Sequence, residues 1–292
     1  MKRLQGFTLV ELLITIGIVG VILMAVTAMI NSSARDNMVT GASTDVMRDG
    51  QIAQQLITGR LNEAIYIYPP SMPLSMILGS GVTTQNTVGP STGQNWRVGT
   101  DPFVAMILPP RKPSYDASTG AITNCTGTDG NSSTTDGCYR FYAYYPMLRS
   151  SLIASSLSQS EKPRSDPAND SQWVLMEYRA MLYYSGAVWT PCFNSNRAVS
   201  TSGCSNPLAS TSLPASYYQS RSAELLADYI QPNSVSFTVT APTTPGVANG
   251  SVNVSFRVQR LTRGLTLKAS TNALGAQVAP RNWRCDATCT TF

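Results

Sequence analysis

Apolar residues dominate the chain from residue 7 to residue 30, and Glu11 is the only charged residue among them. A helix of this length, at about 1.5 Å per residue, extends over about 36 Å and can cross a hydrocarbon core of about 30 Å. Lys2 and Arg3 precede the segment, which favours a cytoplasmic N-terminus and a chain that continues outside the cytoplasm. The pattern therefore predicts a single membrane-spanning helix over residues 7–30.

Beyond residue 30 the apolar positions become periodic. Steps of three, four and seven residues place them on one stripe of a polar helix, which contains Val39, Ala42, Val46, Ala53, Leu56, Ile57, Leu61 and Ala64. Pro69 and Pro70 are expected to stop this helix, because proline lacks the backbone N–H that a helix interior requires. We therefore predict an amphipathic continuation over residues 31–68, whose stripe packs on a head domain.

The remaining residues, 69–292, show short β-rich segments instead of helical periodicity. Several of these segments alternate apolar and polar positions, and they occupy residues 103–108, 138–145, 173–184, 234–240 and 251–261. The last two flank the Pro- and Gly-rich stretch APTTPGVANG, which predicts a hairpin. Residues 222–230 (SAELLADYI) predict one short helix before that hairpin. The predicted fold class is α+β: a long N-terminal helix that carries a mostly antiparallel β-sheet head.

Composition argues against most kinds of active site. The chain has no histidine, so Ser-His-Asp and Cys-His nucleophile arrangements and His-ligated metal sites are excluded. No serine or cysteine motif indicates an activated nucleophile. We therefore expect no enzymatic activity, no catalytic residue, no metal and no cofactor.

Six cysteines occur as three pairs of near neighbours. Six thiols allow fifteen pairings, and the sequence does not choose among them. Short loops close at low entropic cost, which favours local disulfides if the head lies in an oxidising compartment; six reduced thiols are the alternative. The disulfide candidates are Cys125, Cys138, Cys192, Cys204, Cys285 and Cys289.

The N-terminal residues KRLQGFTLVELLITIGIVGVI resemble the start of type IV prepilins and type II secretion pseudopilins. The resemblance implies that a prepilin peptidase removes a leader of residues 1–6 by cutting between Gly6 and Phe7, and that the new amine of Phe7 is methylated. Two alternatives are a secretory signal peptide cleaved near residues 32–34 and a plain membrane anchor. The apolar segment is longer than the core of about 7–15 residues that is typical of a signal peptide.

The resemblance also gives Glu11 a part in subunit assembly. A lone carboxylate is costly in an apolar filament core, and so is a lone amine. When Glu11 of one subunit meets the amine of Phe7 on its neighbour, both charges are neutralised. We therefore expect substitution of Glu11 to block incorporation into a filament while leaving cleavage and membrane insertion intact.

A second similarity, to the PilW class of minor pilins and J-type pseudopilins, rests on positions in the head. These are Leu225, Leu226, Ile230, Val235, Phe237, Arg281 and Asn282. Major pilins often have proline at the position of Ala28, which also favours a minor subunit. The implied protein is a minor pilin that primes or caps a type IV pilus used for twitching, adhesion or DNA uptake. A minor pseudopilin of a type II secretion system is the alternative.

The resemblance implies other pilin subunits, the prepilin peptidase and an inner-membrane assembly platform as partners. It implies an inner-membrane location for the subunit, with its head outside the cytoplasm, before it enters a pilus. A third possibility is an adhesin or a DNA-binding head on a pilin stalk, because Arg281, Trp283 and Arg284 combine positive charge with an aromatic ring. The loop of residues 125–138 is rich in oxygen ligands but lacks the glycine and glutamate of an EF-hand, so a disulfide-closed loop is the better interpretation.

Overall fold

The computed structural model of the chain describes residues 8–76, 82–118, 122–125, 136–184, 187–188, 218–262, 265–268 and 273–285. The chain divides into two compact units, Met1–Asp45 and Val46–Phe292. Among the described elements, the first unit contains only helix, and the second contains the end of that helix and every described strand. The predicted α+β class, with a long N-terminal helix and a mostly antiparallel head, is confirmed.

Helix α1 occupies Leu9–Glu63. It ends before residue 68, where the amphipathic continuation was predicted to end, because Tyr66 and Ile67 form a strand instead. These two residues pair with Ile107 and Met106 in the head. The end of the helix is therefore set by strand pairing ahead of the two prolines.

The part of α1 in the second unit buries one face, at Val46, Gly50, Ala53, Ile57 and Leu61. Their spacing of three and four residues confirms the predicted stripe in this part of the helix. Gly50 was not assigned to the stripe from sequence. A Cβ atom at this position would lie 2.8 Å from Leu274 Cδ1 and 3.0 Å from Val258 Cγ1, so any larger residue here requires these side chains to move.

The strands form one large sheet and several smaller ones. Their bounds are β1 Tyr66–Ile67, β2 Pro73–Ser75, β3 Asn95–Arg97, β4 Val104–Leu108, β5 Tyr139–Leu148, β6 Trp173–Tyr184, β7 Ala187–Val188, β8 Tyr218–Ile230, β9 Ser236–Thr240, β10 Ser251–Phe256, β11 Gln259–Thr262, β12 Leu265–Lys268 and β13 Leu274–Val278. A short helix, α2, occupies Arg149–Ile153 between β5 and β6. Three-residue 3-10 turns lie at Val82–Thr84 and Pro167–Asn169.

The large sheet has the order β1-β4-β5-β6, with β7 and β8 both paired to β6, and all of its pairings are antiparallel. The second sheet has the order β13-β10-β9, and β9 and β10 form the hairpin predicted across residues 241–250. Two ribbons, β2-β3 and β11-β12, complete the described strands.

The predicted helix at residues 222–230 is wrong, because this segment belongs to β8. Alanine, leucine and glutamate give it a high intrinsic helix propensity. In the structure it instead pairs with β6 from Trp173↔Ile230 to Leu182↔Tyr218, with register shifts near Leu175 and between Arg179 and Met181. Pairing along a long neighbouring strand outweighs a helix propensity of a few tenths of a kcal/mol per residue.

Candidate assembly and processing site

Helix α1 begins with a reciprocal pair of hydrogen bonds between Thr8 and Glu11. The Glu11 N–H donates to Thr8 Oγ1 at 3.3 Å, and the Thr8 N–H donates to Glu11 Oε2 at 3.2 Å. The Thr8 hydroxyl also donates to Glu11 Oε2, at 3.1 Å. This arrangement is a capping box, in which a residue at the helix start and a glutamate three positions later satisfy each other's backbone donors.

The capping box fixes where the only carboxylate of the apolar segment lies. Glu11 is in the first turn of α1, where the positive end of the helix dipole favours a negative charge. Its Oε2 atom accepts hydrogen bonds from both the N–H and the hydroxyl of Thr8. The sequence alone predicted a part for Glu11 in subunit assembly. It did not reveal the capping role of Thr8, although the spacing T-x-x-E is the usual signal for a capping box.

The first unit exposes large apolar side chains on every face of the helix. Leu9 is 78 % exposed and Met29 is 76 % exposed, and the thirteen other large apolar side chains from Val10 to Ile30 are about half exposed or more. Among the described residues, α1 is the one helix long and apolar enough to cross a membrane. A helix that is apolar all round needs either lipid or other helices around it.

Several predicted site residues lie outside the described residues. These are Gly6, Phe7, Cys192, Cys204 and Cys289, together with most of the oxygen-rich loop between residues 125 and 138. The described parts of the chain contain no group of three or more acidic or cysteine side chains that could hold a metal ion. Of the disulfide candidates, Cys125 and Cys138 are bonded to each other, and Cys285 is also disulfide-bonded.

The predicted contact residues near the C-terminus do not form one exposed patch. Arg281 is exposed, but the Arg284 guanidinium donates to the Gly246 carbonyl at 2.7 Å. Trp283 is only 1 % exposed, and it packs so closely that a Cβ on Gly250 would lie 2.6 Å from its ring. The indole therefore belongs to the hydrophobic core, where it cannot stack on a base, and this correction leaves only the arginines for DNA contact.

Comparison with known proteins identifies the N-terminal segment. The family model described as the prokaryotic N-terminal methylation motif matches residues 1–27. The chain carries this motif. It supports a type IV pilin or pseudopilin, a membrane-associated structural subunit that is processed by prepilin peptidase and assembles with other pilins. No curated protein and no solved structure gave a significant match.

The methylation motif and the exposed apolar part of α1 fall on the same segment of the chain. The match to the N-terminal methylation motif covers both Thr8 and Glu11. The structure places the Glu11 carboxylate in the first turn of α1, where it is the only charged group among residues 9–30 and the large apolar side chains are exposed. A carboxylate in this position needs a cationic or hydrogen-bonding partner when the segment lies in an apolar environment.

Proposed function

We propose that the protein is a minor pilin, a structural subunit that primes or caps a type IV pilus after cleavage between Gly6 and Phe7. The observation that carries the proposal is the apolar first part of α1, residues 9–30, whose large apolar side chains are exposed on every face and whose single carboxylate is that of Glu11. The methylation motif supports it, because its match over residues 1–27 covers Gly6, Phe7 and Glu11.

Two separate burial costs are removed when Glu11 meets an amine. Transfer of an isolated carboxylate or ammonium into an apolar medium costs several kcal/mol even after relaxation. Before assembly, the Thr8 N–H and hydroxyl are the donors to Glu11 Oε2. In a filament, the methylated amine of Phe7 on a neighbouring subunit becomes the counter-ion, and this happens only at one axial register of the two helices.

The experiment that tests this function compares Glu11→Ala and Glu11→Gln with a control at Thr15 in the native host. Thr15→Val removes one hydrogen bond from a side chain to the Glu11 carbonyl, but it leaves the Glu11 carboxylate in place. We expect all three variants to be cleaved after Gly6 and to enter the membrane, as measured by mass spectrometry of the N-terminus and by fractionation. Only the two Glu11 variants should be absent from sheared filaments.

Normal incorporation of Glu11→Gln would contradict the proposed part of Glu11. A native chain that keeps residues 1–6, or that is trimmed near residues 32–34, would contradict the minor-pilin function itself. The same preparations therefore separate the failure of the residue's role from the failure of the function.

A minor pseudopilin of a type II secretion system is the second candidate, because the methylation motif is compatible with both machines. Deletion of the assembly ATPase of each system in turn distinguishes them. Loss of the protein from extracellular filaments when the pilus ATPase is removed supports the minor pilin. Loss of a secreted substrate when this chain is removed, with pili intact, supports the pseudopilin.

DNA binding by the head is a third candidate, favoured only by the exposure of Arg281. It predicts salt-sensitive retention of the detergent-solubilised chain on DNA, with a loss on Arg281→Ala and no loss on Arg179→Ala, a control arginine that lies on β6. Equal retention of the two variants on DNA would contradict a specific role of Arg281 in DNA binding.

A further inference from the structure

A groove of about 520 Å³ follows the outer edge of β9 in the head. Every residue from Val235 to Val239 contributes to its lining, although the side chains of consecutive strand residues point to opposite faces of the sheet. A cavity that touches consecutive residues in this way lies beside the backbone of the strand. Trp173 contributes to the lining from the start of β6.

The edge of β9 that faces this groove is not paired within the described part of the chain. β9 pairs with β10 over five consecutive residues, from Ser251↔Thr240 to Ser255↔Ser236, and with no other described strand. In an antiparallel ladder, alternate residues turn their N–H and C=O groups away from the neighbour. The outward-facing groups of β9 have no hydrogen-bond partner among the described residues.

β9 also lacks the features by which edge strands usually avoid pairing with other chains. Its sequence, SFTVT, has no charge and no proline, and its register with β10 shows no bulge. Natural edge strands are commonly protected by lysine, by proline, by a bulge or by a covering segment. A flat, uncharged edge beside a groove therefore favours occupation by another strand.

The opposite wall of the groove does not pair with β9 in the described part of the chain. It contains Pro70, Pro90 and Pro102, which have no backbone N–H to donate. Asp101 is 3 % exposed, and its two carboxylate oxygens accept the N–H groups of Ser91 and Arg97 at 3.2 and 2.6 Å. These hydrogen bonds hold the wall in place without help from a ligand.

A second loop anchor lies in the same wall. The Asn86 Oδ1 atom accepts the N–H of Gly89 at 2.7 Å and the N–H of Val88 at 3.3 Å. A Cβ on Gly89 would lie 2.2 Å from Asp101 Oδ1, so this loop closes tightly over the buried carboxylate. Because both oxygens of Asp101 accept backbone hydrogen bonds, and because no other acidic or basic residue lines the described groove, the groove offers a partner no free charge.

We propose that this groove is a β-augmentation site that accepts one uncharged, extended segment of another pilin-like subunit. The inference rests on the proposed function for the source of the segment, whereas the groove itself defines its chemistry. The outward N–H and C=O groups of β9 require an extended backbone, and the neutral walls favour apolar, Ser or Thr side chains. Asn and Gln would fit the same description.

The groove also excludes direct pairing of two β9 strands. β9 of a second copy would be flanked by β10 on one side and by the same proline-containing wall on the other. Two such edges cannot enter each other's grooves. The partner segment is therefore a free stretch, a terminus or a long connection, and the contact is one-sided.

The test uses the full chain in detergent micelles and an acetylated, amidated peptide, SVSFTVT, with the sequence of residues 234–240. Amide hydrogen exchange of β9 is measured with and without the peptide and again in assembled filaments. The blocking variant is Ser236→Lys with Thr238→Lys, two exposed positions, and the control is Gln277→Lys, an exposed position on β13 at the other side of the same sheet.

We expect the outward amides of β9 to exchange quickly in the isolated chain, and to slow by about tenfold with the peptide and in filaments. The double lysine variant should lose this protection, and Gln277→Lys should keep it. Slow exchange in the isolated chain would show that a segment of the chain itself covers the edge, and would overturn the proposal. Equal peptide binding by the double lysine variant would also overturn it.

If the peptide protects β9 but filaments do not, the segment that binds in the groove does not come from another pilin-like subunit. The proposal would then be wrong about the partner. Failure of the proposed function is seen separately, in the mass of the N-terminus from the same preparation. A chain that keeps its first six residues would contradict the filament role while the peptide result still reports on the groove.

Discussion

Gly50 and Gly59 show how strongly the effect of one residue type depends on its surroundings. Both lie within α1, where glycine costs about 1 kcal/mol relative to alanine. Gly50 faces Val258 and Leu274 at distances too short for a Cβ atom, whereas no atom lies within 4 Å of a Cβ placed on Gly59. The first glycine permits helix–sheet contact, and the second only weakens the helix.

We therefore predict opposite effects of two alanine substitutions. Gly50→Ala should lower the free energy of unfolding by about 1–3 kcal/mol, because overpacking exceeds the gain in helix propensity. Gly59→Ala should raise it by up to about 1 kcal/mol. Urea unfolding of the full chain in detergent measures both, and a stabilising Gly50→Ala would show that the sheet yields at this contact.

Glu177 is a second residue whose behaviour depends on burial. It lies on β6 opposite Tyr144, whose hydroxyl donates to Glu177 Oε2 at 2.9 Å. Burial raises the pKa of Glu177 above its ordinary value, even though the hydrogen bond from Tyr144 and the charges of Arg60 and Arg179 act in the opposite direction. The folded protein therefore binds a proton at this site more tightly than the unfolded chain does.

The expected consequence is a stability difference that depends on pH. Ionisation of Glu177 costs stability as the pH rises above the ordinary carboxyl pKa and through the raised pKa of the folded state. Glu177→Gln stays neutral, so its stability relative to the wild type should be higher at pH 7 than at pH 4. Paired urea titrations at the two pH values measure this difference.

Glu161 supplies a control of the opposite sign. Hydrogen bonds from Ser158 lower the pKa of this exposed carboxylate, so its ionised form favours the folded state at pH values above the lowered pKa. Glu161→Gln should therefore lose stability relative to the wild type at pH 7 and not at acid pH. The same sign of pH dependence for both variants would contradict the assignment of burial as the cause at Glu177.

At the scale of elements, strand β8 contributes the acidic residue to two ion pairs, one buried and one at the surface. Asp228 accepts the Arg149 Nε–H at 2.9 Å, and the Arg149 side chain is 0 % exposed. Glu224, four residues earlier, pairs with Arg179 at the surface, where the two side chains are 54 % and 47 % exposed. The strand thus carries one acidic residue that neutralises a buried charge and one that remains in water.

Removal of the two carboxylates should have unequal effects. Asp228→Ala leaves the buried Arg149 with the half-exposed Asp170 as its remaining carboxylate partner, and should cost about 3 kcal/mol. Glu224→Ala should cost about 1 kcal/mol or less, because water and salt screen the surface pair. Thermal or urea unfolding of the two variants compares them, and equal losses would contradict the assigned difference in burial.

At the scale of the whole molecule, the two units differ in how much apolar surface they expose. The first exposes an apolar helix surface that water does not solvate well, whereas the second buries its apolar residues in a core around Trp96, Tyr145 and Phe141. The Cys125–Cys138 disulfide closes a loop of the second unit and suits an oxidising compartment. One chain therefore combines a segment for lipid or helix packing with an independently packed core.

This division predicts how the native chain fractionates. It should remain in the membrane fraction through washes with high salt and alkaline carbonate, and require detergent for release, because its attachment is apolar and not electrostatic. The double variant Ile14→Lys, Val21→Lys places charges in the exposed apolar helix and should reduce membrane retention. A wild-type chain released by salt alone would contradict the membrane-spanning role proposed for α1.

The sequence by itself determined the elements whose signal is local. The uninterrupted apolar segment, the stripe that includes Val46, Ala53, Ile57 and Leu61, and the alternating strands of the head could all be predicted, because each follows from periodicity along the chain. The basic residues at the N-terminus and the spacing of Gly6, Phe7 and Glu11 were also sufficient to recognise the N-terminal motif. Cys125 and Cys138 were candidates for a disulfide because a short loop joins them.

The tertiary structure decided what depends on residues distant in the chain. Strand pairing with β6 made residues 222–230 a strand against their helix propensity, and close packing made Gly50 part of the buried face. Trp283, which was predicted to contact DNA or a partner, is buried in the hydrophobic core. The groove beside β9 has no local signature at all, since its walls come from segments far apart in sequence, and only their assembly leaves one strand edge open beside a neutral cavity.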